Sequence, residues 1–152
     1  MNTTSNSILF LDDDVTRGDI FLKQYPNATW VKTAQECIDI LPKKEWSTIY
    51  LDHDLGGRVY VSTEDENCGT TVVKYIVNNY TPENLKVEFI IHSLNYPASV
   101  SMGQHLAAAG FMDVSYIPFG TKKNFRNSIF QEILTSTYQR MLEVKLKQEH
   151  II

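Results

Sequence analysis

Apolar runs of four to six residues alternate with amphipathic stretches along this chain, and the alternation predicts five strand–helix pairs. Ser7–Leu11 reads as a buried strand ending at Asp12, followed by a helix over Val15–Gln24 and a Tyr25-Pro26-Asn27 turn. Ala28–Lys32 is a short second strand. Thr33, with Glu36 three residues on, forms a capping box for a helix that carries Cys37, Ile38 and Leu41 before Pro42. Trp46–Leu51 is the third strand. The stretch from 52 to 68 is polar and too long for a minimal crossover, and such loops in compact domains usually serve function, so it is expected to be a lid. Gly69–Asn79 returns to helical spacing, Lys86–Ile91 is a fourth strand, and Pro97–Gly110 suits a helix with Pro near its start and Gly at its end. Val114–Ile117 is the fifth strand. A long amphipathic helix over 124–149 closes the chain, with Phe125, Ile129, Ile133 or Leu134, Tyr138 and Met141 spaced along it.

Continuous apolar strands alternating with helices imply a parallel sheet covered on both faces. The expected fold class is therefore α/β: a five-stranded, doubly wound, flavodoxin-like sheet with a long C-terminal helix, all within a single domain over 1–152. At 152 residues, 43% of them hydrophobic and 21% charged, the chain can bury one real core, and disordered, collagen-like and coiled-coil classes are excluded. The net charge of −4 argues against a general grip on duplex nucleic acid. Residues 1–120 hold a charge of −7 and 121–152 hold +3, so positive charge gathers where a phosphate could be met. No apolar run is long enough for a membrane span, and the polar start lacks the pattern of a signal peptide. A cytoplasmic protein with two free thiols, Cys37 and Cys68, is expected.

In a doubly wound sheet, ligands bind beyond the carboxyl ends of the strands. Those positions are chemically unusual here. The first strand ends in Asp12, Asp13 and Asp14, the third in Asp52, His53 and Asp54, and the fourth in His92 and Ser93, with Asn95 two residues further on. Carboxylates converging in this way repel one another without a cation. Oxygen ligands favour Mg²⁺ or Mn²⁺, and added imidazole admits Zn²⁺ or Fe²⁺. A histidine can move a proton at neutral pH while a cation activates water beside a phosphoryl group. Asp14 equally suits a helix N-cap. Arg17 could hold a phosphate or neutralise the acidic run, and Lys122 opens the last helix on the same side of the sheet.

The placement of Asp12, Asp13 and Asp52, with Ser93 near the end of the fourth strand, resembles a receiver domain. In receivers the acidic residues hold Mg²⁺ and the third-strand Asp accepts a phosphoryl group. Receivers also carry a Lys after the fifth strand, where this chain has Ile117 in Tyr116-Ile117-Pro118-Phe119. The stretches FLDDDVTR, LDHDLGG, ENCGTTVVKYI, IIHSLN and YIPFG are similar to a narrower group, the cyclic-phosphate-processing receiver domains. That resemblance implies a metal-dependent phosphoesterase acting on a cyclic phosphate of a nucleotide or an RNA end. Metal would be held by Asp12, Asp13 and Asp52, catalysis would fall to His53, His92 and Asp54, and substrate would meet Arg17, Asn95, Ser93 and Lys122. Two alternatives share the scaffold: a signalling receiver phosphorylated on Asp52, and a non-catalytic cyclic-nucleotide binder. The final helix lies outside the motifs and offers a surface for a homodimer.

Overall fold

A computed structural model describes residues 7–121 and 127–149. Five parallel strands, β1 (Ile8–Leu11), β2 (Thr29–Val31), β3 (Thr48–Leu51), β4 (Glu88–Ile91) and β5 (Val114–Tyr116), form one sheet in the order β2-β1-β3-β4-β5. The connecting helices are α1 (Val15–Gln24), α2 (Ala34–Ile40), α3 (Gly69–Asn79) and α4 (Tyr96–Ala108), and α5 (Ser128–Glu149) closes the chain. This is the doubly wound, flavodoxin-like α/β fold that the alternation predicts. The order reverses between β1 and β3, which sets the switch-point crevice beyond their carboxyl ends.

Local chemistry accounts for the helix ends. Asp14 is the N-cap of α1 and accepts from the Arg17 N–H at 2.9 Å. Thr33 and Glu36 close the expected capping box on α2. Asn95 caps α4 through the Ala98 N–H, with Pro97 in the first turn where a missing N–H costs nothing.

Because alternate strand residues face opposite ways, the sheet has two distinct sides. Leu9, Leu11, Ile49, Leu51, Phe89, Ile91, Val114 and Tyr116 pack with α2, α3, α4 and the start of α5 in the main core. On the other side the pairing register aligns Phe10, Tyr50, Ile90 and Ser115 in one row, covered by α1 through the stacking of Phe21 on Phe10 at 4.0 Å. Along the closing helix, Phe130 and Leu134 are the buried residues, whereas Ile129 is 64% exposed. The stripe expected through Ile129 is thus rotated by one residue. The cause is α4: Gly103 leaves no room for a Cβ against the Phe130 ring, so that ring sets the face α5 presents. Phe125 lies outside the described residues. Among the described residues, no helix is long and apolar enough to cross a membrane.

Candidate functional site

One step past the strand ends the ladder continues: the Asp52 N–H donates to Leu11 O, His92 to Leu51 O, and Ile117 to Ile91 O. Asp12, Asp52, His92 and Ile117 therefore stand side by side on the α1 face, one row above Phe10, Tyr50, Ile90 and Ser115. The strands deliver two carboxylates and an imidazole to one line, and an apolar residue takes the fourth place.

Arg17, from the first turn of α1, reaches back over this row. Its Nε donates to Asp12 Oδ2 at 2.8 Å and its Nη2 to Asp12 Oδ1 at 2.9 Å, and it approaches Asp52 Oδ2 at 3.5 Å. Asp13 and Asp14 lie 3.9 and 3.8 Å away. Arg17 supplies countercharge to the acidic run through the Nε–Nη2 edge that Asp12 occupies, while Nη1 makes no hydrogen bond among the described residues and the side chain lines the cleft. Burial pushes the Asp12 carboxyl up, but hydrogen bonds from His92 and Arg17 outweigh it and hold it down at about 2. Asp52 differs. Burial, only partly offset by His92 and Arg17 and reinforced by Asp12, pushes its carboxyl up to about 6. Its Oδ1 accepts from the His53 N–H at 2.8 Å, while Oδ2 is buried with no hydrogen-bond partner.

His92 is 3% exposed, stacks on Phe10 and contacts Asp12 Oδ2 through Nε2 at 3.0 Å. Against an ionised Asp12 this nitrogen must carry the proton, because a carboxylate only accepts. Nδ1 is then the second buried polar atom of the row without a partner. Asp12, Asp52 and His92 can each bring one donor atom within 4.8 Å of the others. A buried carboxylate oxygen on Asp52 that lacks a hydrogen-bond partner, in a group with a second carboxylate and an imidazole, fits a divalent cation of the Mn²⁺, Mg²⁺ or Fe²⁺ type. The cleft above them has a volume of about 280 Å³, and its rim includes Asp13, Arg58, Ser93 and Phe119.

The remaining expected site residues have other partners. Asp13 lines the cleft but spends Oδ2 on the Gly57 N–H at 2.5 Å, so His92 replaces it in the metal-competent group. His53 has no exposed surface and lies outside the cleft lining, because the residue after Asp52 faces the opposite side of the sheet. Its Nδ1 pairs with Asp54 at 2.9 Å. Burial opposes its charge, yet Cys68 and Asp54 together raise its pKa. Asp54 also accepts from Asn95 Nδ2 at 3.0 Å and from the N–H groups of Tyr60 and Val61 at 2.6 and 3.1 Å. Burial raises the Asp54 carboxyl, but these four donors prevail and lower it. Asp54 and His53 are thus the knot that shapes the 52–68 loop. Asn95 belongs to that knot and to the α4 cap rather than to a phosphate, and Ser93 Oγ accepts from the Asn95 N–H at 3.0 Å. Lys122 lies outside the described residues.

Two positions were not legible as site residues. Gly69 opens α3 directly against the third-strand end, where a Cβ would collide with the Asp52 carbonyl, so glycine is what lets the long loop return beside the carboxylate. A glycine just after a polar loop and before a helical pattern was the available signal. Cys68, read as a loop thiol, is fully buried beside the loop knot, its Sγ donating to Asp65 O at 3.1 Å. Both cysteines are free.

A row of Asp, Asp and His at the switch point of a β2-β1-β3-β4-β5 sheet defines a receiver-type domain. The chain belongs to the cyclic-phosphate processing receiver domain family, whose model matches residues 7–108, about two thirds of its length. Solved structures agree on the fold. The BeF3-activated N-terminal receiver domain of RstA from Klebsiella pneumoniae is 15% identical, with 88% of this chain and 99% of that one covered at a TM-score of 0.52. The Francisella response regulator 1452 receiver domain is 15% identical, with coverage of 90% and 98% at 0.51. A sensor protein from Polaromonas sp. JS666 is 13% identical, with coverage of 90% and 98% at 0.51. No curated protein matches the sequence.

Proposed function

We propose that this receiver-fold domain handles a phosphoryl group in the Asp12–Asp52–His92 cleft, and that it does so as a divalent-metal-dependent phosphoesterase opening a cyclic phosphate of a nucleotide or RNA end. The observation that carries this is the row itself: Asp52 Oδ2 and His92 Nδ1 are buried and unpartnered on one face, with Ile117 where a signalling receiver places its Lys. A divalent cation held by Asp12, Asp52 and His92 would polarise the phosphoryl oxygens and lower the pKa of a water. Hydrolysis adds water across one P–O ester bond, the phosphorus taking the water's hydroxyl and the departing sugar oxygen its proton, and His92 lines the cleft with its Nε2 held on Asp12. Arg17 holds Asp12 in place and balances the carboxylates while the site is free of substrate. The unpaired thiols suit a reducing cytoplasm.

The test is ³¹P NMR of the full chain with Mn²⁺ or Mg²⁺ and a panel of cyclic phosphates, including a 2′,3′-cyclic-ended oligonucleotide and 3′,5′-cyclic mononucleotides. The expected result is conversion of at least one member to a monoester, abolished by EDTA and by Asp52→Asn. A second reading, a signalling receiver phosphorylated on Asp52, is favoured by the bare Asp52 Oδ2 at the carboxyl end of β3, the place of the acceptor in that class. It expects no turnover of the panel and the gain of one phosphoryl mass on exposure to acetyl phosphate with Mg²⁺, again lost in Asp52→Asn.

A further inference from the structure

The α1 face of the sheet is covered on one side only. Whereas α1 lies over Phe10, α5 packs on α4 and β5 through Phe130 and Leu134, and between α1 and the segment after β5 a cavity of about 380 Å³ is left. It lies beneath the Asp12–Asp52–His92 row. Its walls are aromatic: Phe21 stands 4.8 Å from both Tyr25 and Tyr50, and Tyr50 stands 6.4 Å from His92, centroid to centroid. Phe119 closes the end nearest the cleft, 6.2 Å from His92 and edge-on to it. The cavity's polar side-chain groups are the two tyrosine hydroxyls, the Gln24 amide, the Thr121 hydroxyl and the His92 ring, and among the described residues no carboxylate, lysine or arginine lines the space.

We propose that this cavity receives the nucleobase of the ligand whose phosphate occupies the acidic cleft, making the substrate class a nucleoside cyclic phosphate rather than a base-free one. The inference rests on the phosphoryl reading of the cleft. Three features support it. His92 and Phe119 line both spaces, so the cavity and the cleft are neighbours. Aromatic walls of tilted and edge-on rings match a planar heterocycle, and amide and hydroxyl groups at the border match its hydrogen-bonding edge. The volume falls within the range that small ligands fill, roughly 300–1,000 Å³.

The experiment is NMR of the full chain with ¹³C-labelled Tyr and Phe rings, titrated separately with adenosine, uridine, inorganic phosphate and uridine 2′,3′-cyclic phosphate. Nucleosides without phosphate are expected to shift Tyr25, Tyr50 and Phe119. In Ile20→Trp, which places a ring at the cavity mouth from a half-exposed helix position, the ratio of affinities for the cyclic nucleotide over base-free ribose cyclic phosphate should fall about tenfold. Tyr25→Leu should lower the same ratio, with unchanged circular dichroism showing that each variant folds. An unchanged ratio in both folded variants, or phosphate binding without nucleoside shifts, overturns the base pocket and leaves the phosphate cleft standing. Nucleoside shifts with no effect of phosphate or cyclic phosphate on the cleft support the pocket and overturn the phosphoryl reading. Ring signals that ignore nucleosides but change with protein concentration assign the face to a second copy of the chain and overturn the proposal.

Discussion

Arg17 is within ion-pairing reach of four carboxylates, and a divalent cation bound as proposed would compete with it for Asp12 and Asp52. Removing one partner of a buried pair costs more than the pair contributes, since the remaining charge loses its compensation. Arg17 is about one-third exposed, so solvent moderates the loss. Arg17→Ala is expected to destabilise the metal-free chain by about 2 kcal/mol. Mn²⁺ at millimolar concentration should restore most of it, because a divalent cation can then neutralise Asp12 and Asp52. Urea unfolding in EDTA and in Mn²⁺ measures both, and a variant that Mn²⁺ cannot rescue would show that the row does not bind the ion. Asp52→Asn should act oppositely. It removes a buried charge that the fold compensates poorly, so the metal-free variant should be as stable as the parent or more stable by about 1 kcal/mol. Mn²⁺ binding followed by EPR should nevertheless disappear, separating a functional residue from a stabilising one.

At the scale of elements, the 52–68 loop is anchored by Leu55 in the main core and shaped between its ends by hydrogen bonds. Asp13 holds Gly57, Arg58 pairs with Asp65 at 2.9 Å, and Asp54 collects four donors while Tyr60 takes a positive φ of 52°. Asp54→Ala leaves those donors unmatched and should free the loop, with tryptic cleavage after Arg58 at least about tenfold faster, since cleavage follows the population of the open form. Gel electrophoresis over time tests this, and an unchanged rate would mean that Asp54 does not hold the loop. The same loop marks where sequence reading runs out. Helices α1 and α3 fall on their predicted bounds because periodicity and flanking caps agree there. Asp12, Asp52 and His92 were legible because each directly follows an apolar strand and shares one register. His53, Asp54 and Asn95 were legible as a polar cluster, but their roles depend on how the loop closes in space, and no one-dimensional pattern encodes that. Likewise the choice between Ile129 and Phe130 as the buried residue of α5 is made by Gly103 on another helix. Strands β3 and β4 start later than their apolar runs do; Trp46, for example, turns its indole N–H to Leu41 O before the ladder begins.

For the molecule as a whole, the two sides of the sheet divide the work. One side holds the main core, while the α1 side carries the acidic row and the aromatic cavity beneath it. Charges buried on the working side should govern how the entire fold responds to pH. Asp12, held down at about 2, contributes stability above the unfolded carboxylate value of 3.8 and loses it as the pH falls toward 2. Asp52, pushed up to about 6, has the reverse sign: between 3.8 and 6 the native state binds more protons than the unfolded chain, so stability falls as the pH rises through that window. His53, raised above 6.5, adds to the same trend, since its contribution is full below 6.5 and is lost as the pH climbs past its folded value. The metal-free chain should therefore be most stable near pH 4, where the two opposing slopes meet, with a melting temperature higher there than at pH 7.5 by on the order of 5 °C, and should weaken again as the pH falls toward 2. Asp52→Asn should flatten the upper part of this profile and leave the acid limb, which belongs to Asp12. In Mn²⁺ the upper part should invert, because metal binding requires the carboxylates ionised and competes with their protons. Differential scanning calorimetry from pH 2.5 to 8 with EDTA or Mn²⁺ supplies the test: a profile indifferent to both Asp52→Asn and Mn²⁺ would show that the acidic row is neither strained when empty nor relieved by a cation.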